Sequence, residues 1–443
     1  MKTIEDLKVE KMAFNGFGLG FFHSDPIFVS NAVPGDILDV RISHQKQDVF
    51  FADILKIKTS SEIRIEADCE VYGVCGGCDW LNIPYEEQVR IKEQLQQELF
   101  RNVEIRDNLP IIASSEKFYY RNKIFLPVTR EKERIIIGLF TKKSHRIVPH
   151  KKCYLQMEIF DQILIKIIEY LQVAKVKIYD EAINSGNVKH IGFRYSNSEN
   201  KILVIIVTKR RTLPFTKQLV RMLREDFPNI SGIIQNVNPF QVNRILGNDT
   251  KILFGEDFLH DKIGDRKFRF NYQSFFQVNL GITDKLYEFI KSHIEENSNI
   301  IDAFSGVGTI GIYLADKAKH VFCIESNKEA CIDAEHNVSE NGAANCEIIC
   351  GDVENELSIT LRKKIIHNII FDPPRKGLSK NAINIVIGYK IKKIIYISCN
   401  PPTQLRDAEK LLENGYEITH QQAFDMFPQT YHTENVLIFA KKK

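Results

Sequence analysis

No apolar run in these 443 residues approaches the roughly 18 needed to cross a bilayer. The N-terminal stretch MKTIEDLKVEKMAFNG has no apolar core of signal-peptide type. The expected compartment is therefore the cytoplasm, with no membrane partner. Charge of one sign is also scarce: 60 Lys+Arg face 57 Asp+Glu, a balance of +3, so bulk charge does not announce a nucleic-acid binder. Nine cysteines are too few for a secreted disulfide scaffold. In a reducing compartment they point instead to metal or catalytic roles. What is present is ordinary for a soluble globular protein, 44% apolar and 26% charged. The length predicts two or three domains.

Positive charge is concentrated locally. Lys142, Lys143, His145, Arg146, His150, Lys151 and Lys152 crowd one stretch, and Lys209-Arg210-Arg211 forms another. Such clusters can neutralise phosphates or simply form a solvated face. Lys441-Lys442-Lys443 reads as a frayed tail.

Three regions follow from the rhythm of the chain. Residues 1–58 alternate apolar and polar positions between Gly16, Gly18, Gly20, Pro34 and Gly35, which predicts a small antiparallel barrel of short strands such as IFVSNAV, DILDVRI and FADILKI. Residues 59–260 read as a mixed α+β domain. Helices are expected at 85–102 and 156–172, and strands at 122–128, 134–140, 191–195 and 201–207. Residues 261–443 alternate strand and helix. NIIDAF, HVFCIE, CEIIC, IIHNIIFD and IKKIIYISC read as buried parallel strands, with VLIFAKK closing the series, so an α/β fold with a doubly wound sheet is expected.

The first of these strands runs into Ser305-Gly306-Val307-Gly308-Thr309-Ile310-Gly311. Glycines there let the backbone turn tightly and approach a ligand closely. Glu325 ends the next strand, well placed for a ribose diol. That pattern suits a nicotinamide cofactor and S-adenosylmethionine alike. Two later strands end in Asp372-Pro373-Pro374-Arg375-Lys376-Gly377 and in Cys399-Asn400-Pro401. A carboxylate and a cysteine at the carboxyl ends of parallel strands lie where ligands of such sheets sit. The prolines after Cys399 are expected to block a regular helix start and so leave an exposed, oriented thiolate. His432 and Glu434 lie two apart on an expected extended segment and so face one side. Together they supply a base for thiol-initiated addition and elimination. Near the start, Cys69, Cys75 and Cys78, with Cys153 later, offer four thiolates whose spacing permits zinc or an iron–sulfur cluster.

These motifs resemble the S-adenosylmethionine-dependent RNA uracil-5-methyltransferases. The resemblance runs over essentially the whole chain. Its most specific parts are D-P-P-R-x-G at 372–377, Y-x-S-C-N-x-x-T at 396–403 and F-D-x-F-P-Q-T-x-H-x-E at 424–434, with Thr433 standing where the family usually has an apolar residue. The resemblance implies a class I methyltransferase sheet, with Cys399 as nucleophile and Glu434 as the base that removes the carbon-5 proton. It implies a cofactor site from Gln277, Phe304, Gly306, Glu325, Asp352 and Asp372. The pattern C-x5-C-G-G-C with a distant fourth cysteine is similar to the family's 4Fe–4S site, which implies Cys69, Cys75, Cys78 and Cys153 as ligands. Residues 1–58 resemble the TRAM barrel, an OB-like RNA-binding module of the rRNA-modifying branch. On that ground 23S rRNA is preferred to tRNA as the substrate, acted on by a monomer. An exocyclic-amino methyltransferase would share D-P-P but usually places a stacking aromatic where Arg375 stands. It would also have no use for Cys399 and Glu434, and a non-catalytic RNA-binding iron–sulfur protein with a degenerate catalytic domain would not keep every expected catalytic position filled.

Overall fold

The computed structural model describes residues 2–142 and 144–442. Lys143 and Lys443, from the basic stretch and the basic tail, lie outside the described residues. Among the described residues no helix is long and apolar enough to cross a membrane.

Five strands, Thr3–Met12, Gly18–Phe22, Asp25–Val29, Ile37–Lys46 and Val49–Thr59, close into a barrel. Leu7, Val9, Ile27, Val29, Leu38 and Val40 fill it, as the alternation of apolar positions requires. A Cβ on Gly20 would fall 2.4 Å from the Lys8 carbonyl oxygen, so only glycine lets those two strands meet. The expected antiparallel barrel holds one exception: Asp25–Val29 pairs in parallel with Val49–Thr59. Barrel closure joins strands that are not chain neighbours, and no local pattern encodes their sense.

A seven-stranded sheet follows, in the order Asp249–Gly255, Ile230–Val237, Lys201–Thr208, Val188–Ser196, Lys123–Glu131, Arg134–Phe140, Ile147–Pro149. Helices Glu158–Val173 and Thr216–Asp226 cover one face, where Phe160, Ile163 and Ile167 pack on Ile202, Val204 and Ile206. The alternate residues Leu203, Ile205 and Val207 point the other way, into a core shared with the C-terminal part of the chain. Burial on both faces explains why this strand reads as a continuous apolar run.

The third sheet has eight strands: Cys346–Cys350, Ala318–Glu325, Ser298–Ala303, Asn368–Phe371, Lys393–Ser398, Glu434–Lys441, Tyr416–Phe424 and Ile105–Ile112. The first five are mutually parallel, and Glu434–Lys441 runs antiparallel to its two neighbours. This is the doubly wound order of a class I methyltransferase. The chain reverses its winding at Ser298–Ala303, which leaves a crevice beyond the carboxyl ends of that strand and Asn368–Phe371. Ile105–Ile112 comes from the first third of the chain and forms the outer edge, parallel to Tyr416–Phe424. Its largely exposed sequence IRDNLPII carries no long-range pairing signal.

Candidate active site

At the crevice Phe304 takes a left-handed backbone (φ 66°), as do Gly306 (φ 55°) and Gly308 (φ 81°), the last capping the short helix Thr309–Tyr313. A side chain on Gly306 would meet nothing within 4 Å, so the loop faces open space. The Gly306 amide donates to Glu325 Oε2 at 3.0 Å, tying the loop to the acid at the end of the next strand. A Cβ on Gly311 would strike Cys323 Sγ at 2.4 Å, so glycine is required where helix meets sheet. Beneath the loop, Asp302 is fully buried and accepts from the Gly311 amide at 2.8 Å through one oxygen. Its other oxygen has no partner, nor has the buried Ser305 hydroxyl. Burial, with Asp372 and Glu325 nearby, pushes the Asp302 carboxyl up to about 7. Two orphaned polar atoms beside an open glycine turn are what a polar ligand would complete.

Asp372, Cys399 and Glu434 stand at one end of three adjacent strands. Asp372 follows Asn368–Phe371, Cys399 follows Lys393–Ser398, and Glu434 opens the antiparallel neighbour, whose Asn435 pairs with Ser398. Cys399 is half-buried and lines a cavity of about 270 Å³ with Phe14, Asn15, Arg375, Tyr431 and His432. Burial pushes its thiol up to about 11, reinforced by the charges of Glu434 and Asp372 and opposed by the Arg375 guanidinium. Burial raises Asp372 to about 7. Glu434 is held well above the carboxylate range by burial and then by Asp372, with Arg375 opposing.

Pro401 and Pro402 do not block a helix; they are the first two residues of Pro401–Glu413. Proline suits that position because its missing N–H would have no intrahelical partner there. Asn400 orients the turn by donating from Nδ2 to the Arg375 carbonyl (3.0 Å) and to Thr403 Oγ1 (2.7 Å). His432 lies in the turn before the strand rather than within it. Its Nε2 is 3.2 Å from the Arg375 guanidinium, and burial and that cation push the imidazole down to about 4. With its Nε2 lone pair engaged by Arg375 and its pKa pushed down, the ring is a weaker proton acceptor than its spacing from Glu434 alone suggests.

A family model described as tRNA (uracil-5-)-methyltransferase matches residues 84–442. The chain belongs to this family. An RNA methyltransferase of Halalkalibacterium halodurans with no assigned role is 33% identical over 99% of this chain and 97% of its own length. A similarly described RNA methyltransferase of Clostridium tetani is 34% identical over 98% and 95%. Among solved structures, the Pyrococcus abyssi tRNA (uracil-54, C5)-methyltransferase in complex with S-adenosyl-L-homocysteine superposes with a TM-score of 0.80 at 25% identity, covering 99% of this chain and 100% of that one. Membership makes this protein an S-adenosylmethionine-dependent RNA uracil-5-methyltransferase.

Two other expected site residues, Asp352 and Gln277, lie outside the strands of the sheet. Asp352 is exposed beyond the edge strand Cys346–Cys350 and caps Val353–Lys363 by accepting from the Asn355 amide at 3.1 Å. Gln277 lies just before helix Leu280–Ser292, its carbonyl accepting from Asn122 Nδ2 at 3.0 Å. Sequence reasoning missed Tyr287. It is fully buried, hydrogen-bonded to Thr309 Oγ1 at 2.8 Å, and its hydroxyl is raised by burial and by Asp372, Asp302 and Glu434. On an amphipathic helix such a tyrosine reads as ordinary core.

Also unforeseen is how the loop before Glu434 is held. Lys92 and Asp425 form a fully buried pair at 2.6 Å, and Lys92 also donates to the Phe427 carbonyl at 3.1 Å. Tyr120 donates to the Pro428 carbonyl at 2.9 Å. The Asp79 and Trp80 amides donate to the Gln429 carbonyl at 3.0 and 3.1 Å, while Gln88 and Gln429 exchange hydrogen bonds. Gly16 of the barrel packs so closely on Tyr431 that a Cβ would lie 2.6 Å from the ring.

Cys69, Cys75, Cys78 and Cys153 line one small cavity with Tyr72, Leu139 and Leu155. Burial pushes the Cys75 thiol up to about 11 and also raises Cys78 and Cys153. Among the described residues, no group of three or more His, Cys, Asp or Glu side chains is arranged to hold a metal ion. Four soft sulfur donors around one cavity are nevertheless the chemistry of an iron–sulfur ligand set.

Proposed function

We propose that this enzyme methylates carbon 5 of a uridine through a covalent adduct to Cys399. The observation that carries the reading is the meeting of Cys399, Glu434 and Asp372 at three neighbouring strand ends, with Arg375 beside the thiol. Carbon 5 of uracil is a weak nucleophile. Addition of the Cys399 thiolate to carbon 6 forms the S–C6 bond and moves the π pair towards carbon 5 and the carbonyl oxygen. Arg375 favours the thiolate that begins the addition. Bound S-adenosylmethionine would supply the electrophilic methyl group to carbon 5 and leave as S-adenosylhomocysteine. Glu434 then takes the carbon-5 proton, the C5=C6 bond re-forms, and the S–C6 bond breaks to return the thiolate. Glu434's buried setting suits a carboxylate that gains a proton during turnover. The base must leave its stack to reach such a recess.

Gln277, Phe304, Gly306, Glu325, Asp352 and Asp372 would hold the cofactor, and Asp302 Oδ1 and Ser305 Oγ are further polar atoms left for it. Cys69, Cys75, Cys78 and Cys153 would hold a 4Fe–4S cluster in a structural role. The proposed division of labour has residues 1–58 gripping RNA, 59–260 carrying the four-cysteine site and 261–443 performing the transfer. The nine free cysteines support a reducing, cytoplasmic setting.

For the substrate we propose 23S rRNA, on the resemblance of the barrel and the four cysteines to the rRNA-modifying branch. The P. abyssi tRNA enzyme matches 99% of this chain, which favours a tRNA uridine as the second reading. Mapping 5-methyluridine in both RNAs from cells lacking the protein decides between them. Glu434→Gln is expected to accumulate a methylated protein–RNA adduct visible on a denaturing gel. Product without adduct would show that Glu434 is not the base.

A further inference from the structure

We propose that the central sheet carries a second RNA site, a cavity that takes a nucleotide of the single-stranded segment flanking the target uridine. The inference rests on the RNA-methyltransferase reading and adds a site to it. The cavity measures about 1030 Å³ and is lined from strands Lys123–Glu131, Arg134–Phe140 and Val188–Ser196 and from the segment 238–245. It shares no lining residue with the cavity at Cys399. Its volume is at the upper end of the ~300–1,000 Å³ of small-molecule sites, ample for a nucleotide.

Its chemistry is that of a base-and-phosphate site. Phe125 lines it and packs closely on Gly192, where a Cβ would come within 2.4 Å of the ring. Beside it His190 has a buried Nδ1 with no partner. Burial, then the neighbouring Lys189 charge, pushes that imidazole down to about 4, so it is neutral and can read a base edge. Tyr179 forms a wall, with Lys189 Nζ 4.7 Å and Lys209 Nζ 5.8 Å from its ring centre. Arg130, Lys132 and Arg244 are exposed at the lining, against the acids Asp180 and Glu181. The rim segment exposes Phe240 (65%) and Val242 (59%). It is not loose. Asn238 Nδ2 donates to the Arg244 and Ile245 carbonyls at 2.7 and 3.0 Å, and Lys189 donates to the Phe240 carbonyl at 2.7 Å. Apolar side chains held out on an anchored loop beside an excess of cations form a stacking platform with phosphate contacts. A protein partner would leave the buried His190 nitrogen and the cation excess unexplained.

Much of the nearby basic stretch is already engaged. Lys142 pairs with Asp79 (3.1 Å), Lys151 with Glu70 (3.5 Å) and Lys152 with Glu158 (3.4 Å). The exposed cations of the cavity, Lys132 and Arg244, carry no such ion pair among the described residues and are placed to meet phosphates.

The test uses the full-length enzyme, a fluorescein-labelled octauridylate and a transcript of 23S rRNA. Lys132→Glu/Arg244→Glu changes two exposed residues and should leave the melting temperature unchanged. Octauridylate anisotropy should show affinity down by about tenfold or more. The slope of log K against log salt should fall by about 1.4 for two contacts, at ~0.7 per phosphate on single strands. Methylation of the transcript should show raised KM with kcat within about twofold, because phosphate contacts position RNA without touching the chemistry. Tyr179→Ala should weaken octauridylate binding with the salt slope unchanged. An unaltered affinity and salt slope in the charge-reversed enzyme overturns the proposal, and so does a fall in kcat alone. Absence of 5-methyluridine in wild-type reactions would count against the methylation reading instead, because octauridylate binding is measured without turnover.

Discussion

Cys399 sits among groups that oppose one another. Burial and the carboxylates of Glu434 and Asp372 disfavour its thiolate, and Arg375 favours it. With the thiol pushed up to about 11, alkylation by iodoacetamide should rise about tenfold per pH unit from about pH 7 to 10, because the thiolate is the reacting form. Glu434→Gln removes a negative neighbour and should move that rise to lower pH. Arg375→Met removes the positive one and should move it to higher pH. Mass spectrometry of the Cys399 peptide reads both shifts, and alkylation already at its plateau at neutral pH would contradict this balance. His432 presents the same physics from the other side. A buried ring beside a guanidinium stays neutral with its Nε2 lone pair turned to Arg375, which orients the guanidinium and weakens the ring as a proton acceptor.

The loop 425–433 is the element on which the base depends, and it owes its shape to contacts far away in sequence. Helix Tyr85–Phe100 supplies Lys92 and Gln88, the segment after Cys78 supplies two amides, and Tyr120 supplies a hydroxyl. Lys92→Met should destabilise the enzyme by about 3–5 kcal/mol, because it leaves Asp425 buried without its partner. Lys92→Met/Asp425→Leu should recover most of that loss, since an apolar pair of similar volume costs little. Chemical denaturation measures both, and a double variant no more stable than the single one would refute the account. The helix itself was legible from its Glu-, Gln-, Lys- and Leu-rich run. That its fully buried lysine meets Asp425 was not, because an i-to-i+4 pattern says nothing about partners more than 300 residues away.

Across the whole molecule the four-cysteine cavity joins parts that are distant in the chain. Cys78 directly precedes the two amides that hold Gln429, Tyr120 packs on Cys153 and Cys78 while holding Pro428, and the Trp80 indole donates to the Gly16 carbonyl of the barrel at 3.1 Å. Filling that cavity should stabilise barrel, central sheet and catalytic loop together, as metal binding couples to folding. Anaerobically purified enzyme is expected to contain iron and acid-labile sulfide in equal amounts. Cys78→Ser should lose both and melt at a lower temperature, and full iron retention in that variant would exclude Cys78 as a ligand. Several missed strands share a cause at this scale: Ile105–Ile112, Ile230–Val237, Asp249–Gly255 and Tyr416–Phe424 are held by neighbours rather than by strong local patterns.

Local chemistry could be read from the chain because it is local. A glycine turn after a buried strand, a cysteine at a strand end and a C-x2-C pair are each set by backbone geometry within a few residues. The parallel core strands were visible for the same reason, as short β-branched runs buried on both faces. Which side chains meet across the fold was decided only by tertiary packing. Arg375 reaches Cys399 and His432, Tyr287 reaches the buried carboxylates, and Lys92 reaches Asp425. Their protonation states arise from burial and neighbouring charge, and both come into existence only when distant segments pack together.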